Sequence, residues 1–311
     1  MRRTECVRRI LVVAAVLIAG TAGARRVEAQ TQRRSGRNDP RVGAARATPS
    51  SRPPATAAEP TQRDPVRPGD DDTFRPTVIV RRGHSQGTGT IIASEAGQSL
   101  VLTAAHVLRD EGPISVELHR YNIGLEKTTG GAWPLVAAAE EAASDPAADI
   151  ALLRFREHSP VPFVARLYDG DPERIPPESL ATSLGVDLGA RLSSWNTKIV
   201  KSTRLQMEGE GWGRPFLITL KIPEHGRSGG GLYLEGGRLV GVCVGHAELV
   251  EGRRMGIFSS IENIRRLIRE NKLDALVDRS QSRLAAPPAQ EGEDKRPPTD
   301  PAGATALNGR Q

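Results

Sequence analysis

The chain has 311 residues, 38% of them hydrophobic and 4% aromatic, with a net charge of +6 and a pI near 9.7, which suits one large or two small domains with a core of Val, Ile, Leu and Ala. The basic excess lies at the ends: residues 1–29 carry six Arg against two Glu, 30–73 eight Arg against six acids and 279–311 five bases against four acids, leaving 74–278 at about −1. A nucleic-acid partner is therefore excluded, because such a binder needs a basic patch on the folded domain, and there are few aromatics to stack on bases.

In chain order, Arg2, Arg3, Arg8 and Arg9 precede an apolar run from Ile10 to Gly20, with small residues at Ala22-Gly23-Ala24 and Val27-Glu28-Ala29 as candidate cleavage points. Residues 1–29 read as a signal peptide, so the protein is expected to be exported to the periplasm, the cell surface or the medium. The run is well short of the ~20 residues that cross a bilayer. No stable membrane span is expected, a short uncleaved anchor being the other reading. Cys6 precedes the apolar run, where it is badly placed for lipid attachment at a cleavage site. Without the leader only Cys243 remains, so no internal disulfide is expected.

Residues 30–73, rich in Arg, Pro, Ala, Ser and Thr and ending in Asp70-Asp71-Asp72, lack the apolar surface to offset their ordering entropy and read as a disordered linker. The same reading applies to the tail, residues 279–311. Between them, short apolar or β-branched runs recur at Thr77–Val80, Gly89–Ile92, Leu100–Thr103, Ile114–Leu118, Ile150–Phe155, Phe216–Leu220 and Leu239–Val244, punctuated by Gly, Pro, Asp and Asn. This pattern predicts an all-β domain over 74–278, a barrel or a sandwich. One closing helix is predicted, with Ser259 and Glu262 as its capping box and Ile261, Ile264, Leu267 and Ile268 on one face.

Three local patterns carry chemistry. Leu102-Thr103-Ala104-Ala105-His106 ends an apolar strand, Asp149-Ile150-Ala151-Leu152-Leu153 begins another, and Gly226-Arg227-Ser228-Gly229-Gly230 forms a glycine-rich loop before Leu232-Tyr233-Leu234. Each alone is commonplace: a structural histidine, a turn aspartate, a glycine turn. Together, each at a strand edge, they describe a nucleophile, a base and its orienting carboxylate. A serine hydroxyl attacks a carbonyl only when an imidazole takes its proton, and a carboxylate fixes that imidazole's tautomer. The glycines allow tight turns that aim backbone N–H groups, here of Gly226 and Ser228, at the developing oxyanion.

These three motifs resemble those of chymotrypsin-like serine peptidases, especially bacterial trypsin-like and HtrA-type enzymes, over roughly Thr77 to Leu276. The resemblance implies two packed antiparallel β-barrels followed by a C-terminal α-helix. His106 and Asp149 would come from the first barrel and Ser228 from the second. It further implies endopeptidase action on a polypeptide substrate through an acyl-enzyme, with no cofactor and no metal. The sequence departs from the family in four places. Val107 follows the histidine where digestive members carry a disulfide cysteine. Arg227 replaces an aspartate that pairs with a new N-terminal ammonium after zymogen cleavage, so that activation route is not expected. No PDZ-like domain is expected after the helix, so HtrA-like peptide sensing and assembly are not expected either. Val244 falls near a position where relatives carry Ser or Thr in support of the catalytic aspartate.

In this fold the side chain before the scissile bond would meet Ile222 and Pro223, then Val244, Gly245 and His246, with Phe258 at the base. No carboxylate stands where selection of Lys or Arg would place one, although Glu224 is close by. An apolar pocket favours a small or medium apolar residue, whereas His246 or His225 would receive an acidic one. His84, His119 and His158 are expected to do no chemistry, and no His or Cys pair has the spacing of a metal site. The remaining alternative for the whole chain is a catalytically inert binding module of the same fold, against which the intact triad residues argue.

Overall fold

The computed structural model describes residues 70–95, 97–125, 134–187, 191–205, 213–250 and 252–285. The expected signal peptide, most of the linker and the residues beyond 285 lie outside the described residues. Among the described residues no helix is long and apolar enough to cross a membrane.

Six antiparallel strands close the first barrel: β1 (Thr77–Arg82), β2 (Ser85–Glu95), β3 (Gln98–Thr103), β4 (Ile114–Leu118), β5 (Leu135–Asp145) and β6 (Ile150–Arg156), in the order β1-β2-β3-β6-β5-β4 with β4 returning to β1. The second sheet comprises β7 (Arg166–Leu167), β8 (Ser179–Asp187), β9 (Arg191–Leu205), β10 (Arg214–Thr219), β11 (Gly231–Leu234), β12 (Arg238–Val250) and β13 (Arg253–Ser260). Its order is β11-β8-β9-β10-β13-β12, closed by the pairing of β11 with β12, while β7 lies parallel to β12 as an addition. The all-β reading with two barrels therefore holds.

Of the runs read from the sequence, Leu100–Leu102 of β3 and Ile150–Leu153 of β6 are buried on both faces, whereas β4 alternates. In β3, Val101 points into the first barrel with Val78, Ile91 and Leu153, while Leu100 and Leu102 pack with Leu184, Tyr233 and Val242 of the second. The second barrel has its own interior of Ile199, Leu217, Leu232, Val240, Cys243 and Phe258. Two of the strands absent from the sequence reading are polar or small along most of their length. β5 reads LVAAAEEAASD and β9 reads RLSSWNTKIVKSTRL, and such strands are held by ladder bonds to their neighbours rather than by apolar alternation. Among the ties between the barrels is an ionic one: Asp145 at the end of β5 meets Arg214 of β10 at 3.2 Å and also Arg266 of the first helix.

Two helices, not one, close the domain. α1 spans Ile261–Glu270 and buries Ile261, Ile264, Leu267 and Ile268. Its cap is Ser260 rather than the expected Ser259: Ser260 Oγ accepts from Glu262 N at 3.4 Å, while Ser259, the penultimate residue of β13, accepts from buried Asn263 at 3.0 Å. α2 (Asp274–Ala285) runs through the expected boundary at 278. It buries Leu276 and Val277 in the core and adds polar anchors. Ser280 Oγ accepts from Ser94 N at 2.9 Å, and Gln281 Nε2 donates to the carbonyls of Ile92 and Ala165 at 3.0 and 2.9 Å. At the other end the folded part begins before residue 74, since Asp72 pairs with Arg166 at 2.9 Å and Thr73 O accepts from Thr77 Oγ1 at 3.0 Å.

Candidate active site

His106 sits where β3 runs out into a single 3-10 turn, Ala105–Leu108. Asp149 sits at the same margin of the sheet, one residue before β6, which pairs antiparallel with β3, and it closes a turn in which its N–H donates to Pro146 O at 3.2 Å. Its φ of +51° is left-handed, a conformation that Asp tolerates better than bulkier residues. That backbone points the carboxylate at the histidine. Asp149 Oδ2 lies 2.6 Å from His106 Nδ1, and Oδ1 accepts the His106 backbone N–H at 2.8 Å. The main chain adds a third bond, from Ala105 N to Asp149 O at 3.1 Å. A carboxylate can only accept, so the ring carries its proton on Nδ1 and leaves Nε2 basic. Asp149 is only 7% exposed. The support that Val244 does not provide comes in part from the histidine's own backbone N–H.

Ser228 is held in a loop whose peptide planes are fixed one by one. Arg227 N donates to Glu224 O at 3.3 Å, closing a turn with Gly226 third at a φ of +90°. A positive φ at that place is the mark of a type II turn and favours glycine. Arg227 O accepts from Gly230 N at 2.8 Å. Because a trans peptide points its C=O and N–H to opposite sides, the Ser228 N–H on that same peptide faces away from Gly230. Among the described residues neither Gly226 N nor Ser228 N donates to another main-chain group. Gly229 N donates to Cys243 O at 2.8 Å. A Cβ on Gly229, φ +87°, would fall 2.0 Å from Thr88 O and 3.0 Å from Ala104 N, so the loop lies against the strand that delivers His106.

Thr88 is the hub that sequence reasoning missed. It is fully buried, its N–H donates to Ser228 O at 2.8 Å and its hydroxyl to Gly226 O at 2.8 Å. The same hydroxyl accepts from Val186 N at 2.9 Å, and Thr88 O accepts from Thr103 Oγ1 at 2.7 Å. Its only signal in the sequence is a polar residue one place before an apolar run. The structure thus brings the Ser228 loop onto β2 and β3, beside the segment carrying His106 and Asp149. The Ser228 hydroxyl itself makes no hydrogen bond among the described residues.

The expected specificity residues differ in exposure. Ile222 is 38% exposed, Val244 is buried against Phe216, Ile218 and Ile257, and Gly245 stands at a bulge in β12. Phe258 lies in the second barrel's interior with Leu217 and Cys243. His246 is exposed, and its Nε2 meets the Arg254 guanidinium. Burial lowers its pKa below the ordinary imidazole value, and Arg254 and then His225 lower it further. Burial pushes the Cys243 thiol up to about 12, so it remains protonated beside the loop. Among the described residues no three His, Cys, Asp or Glu side chains gather as a metal site. A cavity of about 560 Å3 between β7 and the two helices, lined by Arg166, Tyr168 and Arg265 among others, includes none of the candidate residues.

A family model for the trypsin-like peptidase domain matches residues 87–242, half of the chain, and spans His106, Asp149 and Ser228. The chain belongs to this family. No curated protein matches it. Among solved structures, this trypsin-like peptidase is similar to the inactive form of the Rv3671c protease from Mycobacterium tuberculosis, with a TM-score of 0.51 and 20% identity over 66% of this chain and 91% of that one. The active form of the same protease gives 0.51 and 21%, over 65% and 83%. A serine endoprotease from Yersinia pestis gives 0.51 and 19%, over 67% of this chain and 66% of that one. At these identities the likeness is one of fold.

Proposed function

We propose that this trypsin-like peptidase is an exported serine endopeptidase in which Ser228 is the nucleophile, His106 the general base and Asp149 the group that orients it. The observation that carries the reading is the double engagement of Asp149 with His106, Oδ2 to Nδ1 at 2.6 Å and Oδ1 to the backbone N–H at 2.8 Å. Export is proposed on the basic start and apolar run of residues 1–29.

In this scheme His106 Nε2 takes the Ser228 hydroxyl proton as Oγ bonds to the carbonyl carbon of a substrate peptide, a transfer that needs Oγ within about 3 Å of Nε2. The carbonyl oxygen becomes an oxyanion and receives the N–H groups of Gly226 and Ser228, each such donor contributing about 3 kcal/mol. The intermediate collapses, the C–N bond breaks, and Nε2–H gives its proton to the leaving amine. Water then attacks the acyl-enzyme, passing a proton to Nε2 and on to Ser228 Oγ as the acid product leaves. Asp149 stays ionised throughout and stabilises the imidazolium.

A small or medium apolar residue before the cut bond is proposed on exposed Ile222 and on Val244. A second reading, an acidic residue, is favoured by the Arg254 guanidinium against His246. Cleavage of a mixed peptide library separates the two: preference for Val, Ala or Leu supports the first, and preference for Glu that weakens in His246→Ala supports the second. Labelling by a fluorophosphonate tests the chemistry itself. Wild type is expected to label at Ser228 and Ser228→Ala not at all; a folded wild type that neither labels nor hydrolyses any peptide is the inert binding module.

A further inference from the structure

The residue before Ser228 is an arginine with no exposed surface. A guanidinium is costly to bury unless each N–H finds an acceptor, and for stability alone an apolar residue often serves as well. Here the acceptors are all present. Arg227 Nε donates to Asp187 Oδ1 at 2.8 Å and Nη2 to Asp187 Oδ2 at 2.7 Å, a bidentate pair. Nη1 donates to Ser183 O at 3.0 Å and Ser183 Oγ at 3.3 Å, and Nη2 also meets the Ser193 hydroxyl. The guanidinium carbon stands 4.8 Å from the Trp195 ring. Every partner lies on β8 or β9 of the second barrel.

What this arginine joins is more specific than two strands. Its neighbours in sequence, Gly226 and Ser228, carry the two N–H groups that have no main-chain acceptor among the described residues, and its own carbonyl, held by Gly230 N at 2.8 Å, sets the direction of the Ser228 N–H. Thr88 grips the carbonyls on either side, of Gly226 and of Ser228. The loop is thus clamped from the first barrel by Thr88 and from the second by the Arg227 side chain.

We infer that the buried Arg227–Asp187 ion pair is the positioning device of the oxyanion site, fixing the Gly226 and Ser228 N–H groups in their receiving orientation as the second barrel folds, without a newly cut chain end or a bound effector. The inference rests on the reading of Ser228 as nucleophile. Arg227 and Asp187 do not touch the reacting atoms. They act through the loop main chain, so their loss is felt where the oxyanion forms and little in binding of the ground state.

The test compares wild type with Asp187→Asn, with Arg227→Lys and with the double variant Arg227→Met/Asp187→Leu. The double variant replaces the pair by apolar side chains and guards against a single variant that fails to fold. Four quantities are measured: kcat and KM on a cleaved peptide, affinity for a peptide boronate that forms the tetrahedral adduct, affinity for the product peptide, and amide hydrogen exchange across residues 224–230. In Asp187→Asn, kcat and boronate affinity are expected to fall together by about 10²–10³, the cost of an oxyanion donor, while KM and product affinity change by less than about threefold. Arg227→Lys keeps the charge but not the fork, and is expected to fall between. In the double variant melting temperature is expected to recover but kcat is not. Exchange is expected to quicken in 224–230 and not in β10 or β13. Unchanged kcat in any folded variant overturns the inference, as does a double variant that regains kcat, or exchange that quickens uniformly. If wild type neither hydrolyses peptides nor labels at Ser228, it is the nucleophile reading that fails, and loop exchange alone then decides whether the ion pair holds the loop.

Discussion

The two halves of the candidate site are held by opposite means. The base half is local: His106 and Asp149 both belong to the first barrel, on strands β3 and β6 that pair directly, and three hydrogen bonds join the two residues and their neighbour Ala105. The nucleophile half is suspended, since the Ser228 loop is held from both barrels, by Thr88 of the first and by Arg227 with Asp187 and the Cys243 main chain of the second. A pair on adjacent strands is assembled by the ladder that builds the barrel. A loop between barrels is placed only when both have folded. The base half should therefore be sensitive only at its own residues, and the nucleophile half also at residues far from it in sequence.

The largest expected effect breaks the nucleophile half at its centre. Ser228→Ala should lower kcat by about 10⁶-fold and leave circular dichroism and melting temperature unchanged, because it removes one partly exposed hydroxyl. Next, Asp149→Asn should cost about 10⁴-fold in kcat, because the amide can donate to Nδ1 and favours the wrong tautomer. In the same variant hydrogen exchange of 224–230 should stay at the wild-type rate. Quickened exchange there would show that the halves are coupled and that the comparison is wrong.

Thr88→Val sharpens the comparison from the other side. It keeps the shape but leaves buried Val186 N–H and Gly226 O without their partner, each loss costing about 1–3 kcal/mol. Stability should fall by about that much in urea unfolding, with kcat falling as well and Thr88→Ser restoring both. Truncation probes the periphery: a chain ending after Ala285 should melt like wild type, whereas one ending after Asp278 loses the Ser280 and Gln281 bonds and should melt several degrees lower. The smallest effect belongs to His246. Its folded pKa is depressed, so the unfolded chain binds more protons as pH falls below the ordinary imidazole value, and stability is lost there. His246→Gln should raise the melting temperature slightly relative to wild type near pH 5 and not near pH 8.

The sequence by itself determined the β class, the core strands and the three motifs. Stretches buried on both faces are apolar throughout, as in Leu100–Leu102 and Ile150–Leu153, and the proposed residues of acyl transfer stand near their margins. Polar strands such as β9 gave no comparable signal, because their stability comes from neighbours distant in the chain. α2 was hidden for a related reason: beside the short apolar pair Leu276 and Val277 it docks through Ser280 and Gln281, whose value depends on reaching the main chain of β2 and the carbonyl of Ala165. The cap of α1 was misread by one residue, since Ser259 and Ser260 are alike in sequence and only the end of β13 separates them. Arg227 was legible as a departure from the family but not as a buried cation, for burial depends on Asp187, Ser183 and Ser193 arriving from other strands. Thr88 was not legible at all, because a hydroxyl becomes a hub only when the chain has brought Gly226 and Val186 to its side. Local pattern carries what a residue needs from its own strand, and only the closed barrels decide which distant groups will satisfy a buried polar atom.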